Sequence, residues 1–318
     1  MGFWEKLTKE LSANNRVVLL YVIQSIGSSP GRQGFKMLVS ESGQLYGSIG
    51  GGIMEHKLVE WCKNDLLATS FQPFIKRQVH QNNIKKDKSG MICSGEQTIA
   101  FYHLTYQDLS IIKSIASNIG EEMYGVLCLN KEGILFKPSK QLPANFHLSL
   151  KSTEEWVLLE DVGFKPQLHI LGGGHVSLSL TKLASQLGFS ITVYDDRDGL
   201  NTVESNDEAV FHKIPDYECV DDYIPQGNYH YVVLMSFGYR TDKVILKRLI
   251  DKEYKYLGMM GSKKKVEVLF QELKTEGVPQ KLIDKVHSPI GLPINSKTPE
   301  EIAISILAEL IKIKNAAE

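Results

Sequence analysis

Residues 167–196, QLHILGGGHVSLSLTKLASQLGFSITVYDD, restrict what this chain can fold into more than any other stretch. An apolar strand runs into three glycines. Val176, Leu180, Leu183, Ala184 and Leu187 then recur at helical spacing, Gly188 stops the helix, and a second apolar strand ends in Asp195 and Asp196. That order is one βαβ unit. Gly172 and Gly174 fill the first two positions of a G-x-G-x-x-G turn, and Ser177 stands in the third. The acidic strand end falls about 20 residues on, where a ribose hydroxyl takes its partner. The alternation continues through YHYVVLMSFG (strand), DKVILKRLID (helix), YKYLGMMG (strand) and KKKVEVLFQELKTEG (helix). Thr298, Pro299 and Glu301 open a last helix with a capping box.

At 318 residues the chain exceeds the usual size of one core, so two domains are expected. Residues 1–138 read as an α+β domain with much antiparallel pairing: a short helix, the strong β run VVLLYVIQS, a hairpin, a helix from about 53, and further strands. Residues 139–165 lose periodicity and read as a linker, with EEWVLLED a last strand toward the second domain. Residues 166–318 form the second domain. The expected class is α/β, an N-terminal α+β domain followed by a Rossmann-like, doubly wound parallel sheet.

A net charge of −1 with 23% charged residues gives no bulk drive toward nucleic acid or membrane. Apolar runs such as RVVLLYVI are far too short to span a bilayer, and the N-terminus carries no apolar signal core, so a cytoplasmic protein is expected. The four cysteines lie far apart without a C-x-x-C pair, against both zinc and a disulfide framework.

A second triple glycine, in YGSIGGGIMEH at 46–56, follows a hairpin and lacks the βαβ context. Gly50, Gly51 and Gly52 there suit a close approach of backbone to a bulky flat ligand. Glu55 has two open readings: a first-turn charge favoured by the helix dipole, or an acceptor for ligand N–H groups. Gly261 and Ser262 put backbone N–H groups beside Lys263 at a helix start, a phosphate-type site or a solvated lysine run. His175 either points at a ligand phosphate or is an exposed first-turn residue. The basic stretch Lys76, Arg77, His80, Lys85, Lys86 and Lys88 reads as a solvated hairpin or an attractor for an anionic ligand; it lacks the interleaved aromatics of a nucleic-acid surface.

The strings GSSPGRQGFKMLV, GQLYGSIGGGIMEHKLVE, GMICSGEQTIAFY, LHILGGGHVS, VYDDRD, YLGMMGSKKK and SPIGLPINSKTPEEIAISILAEL, in that order, resemble the XdhC/CoxI family over about residues 16–311. These are accessory proteins of xanthine dehydrogenase and related molybdenum hydroxylases. The resemblance implies a chaperone that holds the molybdenum cofactor (molybdopterin), protects it while a cysteine desulfurase supplies its sulfido ligand, and delivers it to the apo-enzyme. A homodimer is compatible with that role. Carried over residue by residue, the family's G-S-x-P loop falls on Gly27, Ser28 and Pro30, and its glycine-rich loop on Gly50, Gly51, Gly52 and Glu55. Its C-G-G motif falls on Cys93, Ser94 and Gly95, with the middle glycine replaced. Its G-x-G-H-V falls on Gly172, Gly174, His175 and Val176. A stretch that often carries a histidine ahead of an aspartate appears as SFGYRTD, keeping Asp242 alone. A soft metal already held by dithiolene sulfurs accepts a thiolate, which makes Cys93 the metal-ligand candidate. The competing reading is an NAD(P)-dependent oxidoreductase or another nucleotide binder, with Asp195 favouring NAD; no acid, base or metal constellation in the C-terminal half supports hydride chemistry.

Overall fold

The structure, a computed structural model, describes residues 2–79, 95–120, 123–139, 147–163, 165–214 and 216–316. It divides into two compact units, Met1–Phe164 and Lys165–Glu318.

The first unit is organised by β1 (Val17–Ile26). Strands β2 (Lys36–Ser40), β3 (Leu45–Gly47), β4 (Phe74–Val79) and β5 (Glu96–Leu104) join it in an antiparallel sheet of order β3–β2–β1–β5–β4. Because β1 is central, both its faces are buried, which explains its unbroken apolar run. Val17, Leu19, Tyr21 and Ile23 face a core with helix α1 (Phe3–Ser12). Helix α3 (Leu109–Gly120) and a second antiparallel sheet complete that core. Val18, Leu20 and Val22 face the opposite core, capped by Met54, Leu58 and Val59 of helix α2 (Gly52–Trp61). Each such fully buried side chain contributes about 1.5–3 kcal/mol.

The second sheet has the order β7–β6–β9–β8, from β6 (Tyr124–Asn130), β7 (Gly133–Ser139), β8 (His147–Leu150) and β9 (Trp156–Val162). The segment read as a linker therefore supplies two strands, and β9 is an inner strand of the first unit rather than a bridge to the second. Its alternation of buried Trp156, Leu158, Glu160 and Val162 with half-buried neighbours is a period-2 pattern that the polar stretch before it obscured.

The second unit holds a wholly parallel sheet: β10 (Gln167–Leu171), β11 (Ser190–Asp195), β12 (Val210–Lys213), β13 (Gly227–Leu234) and β14 (Tyr254–Met259). Their order, β12–β11–β10–β13–β14, reverses direction between β10 and β13. Helices α4 (His175–Gln186) and α9 (Pro299–Lys314) cover one face through Leu180, Ala184, Ile306 and Leu310. The short α5 (Asn201–Glu204) follows β11. Helices α6 (Tyr239–Leu249) and α7 (Lys263–Thr275) cover the other face through Ile245, Leu246, Val266 and Leu269, and short α8 (Gln280–Ile283) follows. This is the doubly wound arrangement expected from the βαβ pattern. Among the described residues no helix is long and apolar enough to cross a membrane.

Candidate functional site

Three segments far apart in sequence meet at one end of the central sheet of the first unit. β1 runs into the loop 27–34, β3 runs into 48–52, and β5 begins just after Gly95. Their meeting is organised by Gln97, which is 1% exposed. Its Oε1 accepts from Ser29 Oγ at 2.8 Å and from the Gly31 N–H at 3.2 Å, while its Nε2 donates to the Ile49 carbonyl at 3.1 Å. One buried amide thus satisfies three groups of two loops that would otherwise be stranded.

The glycines permit this approach. A β-carbon on Gly50 would stand 2.5 Å from the Gly31 nitrogen, and one on Gly95 would stand 2.5 Å from the Ser29 nitrogen. The close partner expected for Gly50 is therefore the chain's own 27–34 loop. Gly51 differs, since nothing lies within 4 Å of the position its β-carbon would take. Glu55 fixes the turn from inside: its Oε2 accepts from Ser48 Oγ at 2.7 Å, the Ile49 N–H at 2.8 Å and the Gly51 N–H at 3.0 Å. Neither sequence reading anticipated that anchoring role. Gly27 and Ser28 are exposed at the rim and Pro30 is half-buried.

Of the residues singled out in sequence, Gly27, Ser28, Pro30, Gly50, Gly51, Gly52, Glu55 and Gly95 thus converge. Cys93, with Ser94, lies outside the described residues, as do His80, Lys85, Lys86 and Lys88. On the two opposite faces of β4, Lys76 sits half-buried 4.5 Å over the Trp61 ring and the exposed Arg77 pairs with Glu96. Gln97, Ser29 and Gly31 were missed. The available signal was a glutamine inside the apolar run EQTIAFYHL, a polar group that needs partners if the strand is buried.

In the second unit Gly172 lies at φ +117° against the Met235 carbonyl, 2.4 Å from where its β-carbon would stand. This is the tight, positive-φ turn that the first fingerprint glycine allows, here closed against the end of β13. Gly174 is open and caps α4 without a side chain, and His175 is exposed on the first turn. Ser177, in the third fingerprint position, is buried.

Asp195 is not presented as a ribose partner. It is fully buried, and its oxygens accept from the Gly173 N–H at 2.7 Å, the Arg197 N–H at 3.0 Å, and the Arg197 guanidinium at 2.8 and 2.7 Å. Burial opposes its charge, but Arg197 and the two N–H groups outweigh that and hold the carboxyl below its ordinary value. Above Gly173, Val203 and Leu200 stand 2.8 and 3.1 Å from a would-be β-carbon, and Thr202 Oγ donates to the Gly173 carbonyl. The Gly173 side of the turn is packed against the chain's own 200–203 segment, while Gly174 stays open. Asp196 is exposed.

A second feature lies at the carboxyl ends of β13 and β14, where α6 and α7 begin. Asp242 is buried, and its Oδ1 accepts from Ser236 Oγ at 2.6 Å and the Ser236 N–H at 3.3 Å. Desolvation pushes its carboxyl up to about 6. Asp242 and Ser236 line a cavity of about 160 Å³ with Gly261, Ser262 and Lys265. Ser262 caps α7 by accepting from the Lys265 N–H at 3.4 Å. Lys263, the lysine named from sequence, is exposed and not among the cavity's lining residues, a place that Lys265 takes. Beside the cavity, Phe237 is 86% exposed with the Arg197 guanidinium 5.7 Å from its ring centre.

Cys62 is buried and its thiol is pushed up to about 12 by desolvation; Cys128 and Cys219 are half-buried. Among the described residues no group of three His, Cys, Asp or Glu side chains is placed to hold a metal.

Comparison with known proteins follows this division. The family profile of the XdhC Rossmann domain matches residues 168–310, and that of the XdhC and CoxI family matches residues 11–73. The chain is 24% identical over its full length to an Escherichia coli (strain K12) protein, the uncharacterized protein YqeB, of which it covers 47%. The chain therefore spans about half the length of that relative. It is also 24% identical to a Bacillus subtilis (strain 168) protein described as a probable xanthine dehydrogenase subunit, over 98% of each. A crystal structure described as a xanthine dehydrogenase from Bacillus halodurans shares the fold, with a TM-score of 0.75 at 23% identity over 100% of this chain and 97% of that one.

Proposed function

The chain belongs to the XdhC and CoxI family, and from that membership we propose that it is an accessory protein which holds the molybdenum cofactor for a xanthine dehydrogenase-type enzyme. In this reading it protects the cofactor while a cysteine desulfurase completes the sulfido ligand, inserts it into the apo-enzyme, and works in the cytoplasm. The observation that carries the reading is the convergence of Gly27–Pro30, Gly50–Gly52 and Gly95 around Gln97. Cys93 stands two residues before Gly95 in the sequence. The interlocked loops give a rigid rim, and Gly51 leaves its outer side open for the approach of a flat group. When bound, the cofactor supplies the molybdenum centre that the recipient enzyme uses; this chain's part is to hold it, with the Cys93 thiolate as the soft ligand.

The oxidoreductase alternative draws support from the strand order of the second unit, but the Asp195 carboxylate it needs is committed to Arg197 and Gly173. Protein isolated from a molybdenum-replete host should release a fluorescent oxidised pterin on heating in acid. Cys93→Ala should lower bound molybdenum several-fold without loss of fold. Absence of pterin together with tight NAD binding by calorimetry would reverse the choice.

A further inference from the structure

Four rings lie in a row across the parallel sheet, one from each of four neighbouring strands. They are His230 on β13, His169 on β10, Tyr194 on β11 and His212 on β12, with ring centres 5.1, 5.9 and 5.7 Å apart in turn. Hydrogen bonds run along the first three. The Tyr223 carbonyl can only accept, so the Tyr194 hydroxyl donates to it at 3.4 Å. The Tyr194 oxygen then accepts from the His169 Nδ1–H at 3.0 Å. A neutral imidazole has one N–H and one lone pair, so His169 Nε2 is an acceptor, and it faces His230 Nδ1 at 2.9 Å. His230 must donate there. The partners thus assign both rings as Nδ1–H tautomers, with His230 Nε2 the outer end of the chain.

This arrangement holds one proton between His169 and His230 and has no place for a second. His169 is 5% exposed, and a proton on its Nε2 would meet the His230 Nδ1–H across 2.9 Å. The neighbouring elements bring Thr192 and Tyr194 from β11, the exposed His212 from β12, Tyr223 and Asp221 from the segment after β12, and Tyr254 from β14. The charge of Asp221 acts on Tyr254, and among the described residues no carboxylate acts on either imidazole. Burial and the neighbouring His230 push His169 down to about 3, and burial lowers His230.

The pair ties β10 to β13, where the strand order reverses and where Gly172 turns against Met235. We propose that His169 and His230 form an acid-sensitive latch between β10 and β13, closed by one shared proton at neutral pH and forced apart by a second, which loosens the turn at Gly172. The latch stands on the second unit's own groups and holds whether or not the chain carries the molybdenum cofactor. The folded His169 lies below its unfolded value of about 6.5, so across that gap only the unfolded chain binds the proton. Stability from the closed latch is therefore fully present above about pH 6.5 and is lost as pH falls toward about 3. For His169 alone the folding constant falls about tenfold per pH unit, or about a hundredfold by pH 4.5.

Two measurements on the full chain test it. In two-bond proton–nitrogen NMR spectra at pH 7.5 both rings should show the Nδ1–H form, the minor one for free histidine in water, and His169 should stay neutral until the chain unfolds. An Nε2–H form at His169, or its titration in the folded chain near pH 6.5, overturns the proposal. In urea titrations between pH 7.5 and 4.5, followed on the amide signals of β10 and β13, the wild-type folding constant should fall about a hundredfold further than that of His169→Phe. Phenylalanine keeps a ring in the row and takes no proton. His103 of the first unit, also lowered by burial, is common to both chains and does not enter the difference. Equal losses in the two chains overturn the latch. If His169→Phe does not fold, the tautomers and titration of the wild-type rings decide alone.

Discussion

At Gly50 the backbone runs at φ +127°, and a β-carbon there would press on the Gly31 nitrogen and the Pro30 carbonyl carbon, 2.5 and 2.8 Å away. At Gly51 the strain is internal: φ +72° with ψ −169° is a region that essentially only glycine occupies, yet the space around it is open. Gly51→Ala should therefore cost about 1–3 kcal/mol of backbone strain alone. Gly50→Ala should cost clearly more, since backbone atoms of the neighbouring loop must also move. Urea unfolding midpoints of the two variants, read side by side, check the order; equal losses would mean that the loops do not interlock. The sequence marked both residues as glycine and gave no means of telling them apart, because the difference lies in a partner nearly 20 residues away.

Among the elements, the turn from β10 to α4 and the end of β11 act as one device. Asp195 joins them through the Gly173 N–H and is itself held by Arg197. Its folded carboxyl titrates below its unfolded value, so its contribution to stability is fully present above about pH 4 and is lost as pH falls through the folded value. Asp195→Asn should lower stability at pH 7 by on the order of 2 kcal/mol, a buried-pair value reduced for the partly exposed Arg197. The same substitution should flatten the loss of stability below pH 4, which denaturant titrations at pH 7, 4 and 3 would record. A wild-type curve that is already flat in that range would contradict the assignment. The glycine spacing and the acidic strand end were legible as a nucleotide-type turn, and the fold they imply is present. What the spacing could not reveal is that the 200–203 segment and Arg197 cover the groups a ribose would use.

For the whole molecule, each buried cluster draws on one side of the division only. The clusters around β1 end at Val162, and those around the parallel sheet begin at Leu168. The fragment 165–318 should therefore fold when expressed alone, with dispersed amide signals and a cooperative thermal transition. A collapsed fragment without near-ultraviolet dichroism would show that its stability depends on the first unit. The segment 139–165 matters here because β9 is an inner strand of the first unit's second sheet, so a cut at 138 should leave that sheet without half its strands.

Taken alone, the sequence determined the two-unit plan, the parallel sheet of the second unit, the segments that carry its turns and the family resemblance, because periodicity and glycine spacing are local properties that a one-dimensional pattern records. The tertiary structure decided which groups are already spoken for. It turned Glu55 inward onto its own loop, made Gln97 the tie between two glycine segments, sealed Asp195 under Arg197, and set the buried Asp242 in the wall of a small cavity. Gln97 and Asp195 reach Ile49, Ser29, Gly31 and Gly173 across tens of residues, and even Glu55 and Arg197, whose partners are close in sequence, meet them only through the folded turn. Whether a polar side chain is free or satisfied is therefore settled by the fold and not by spacing.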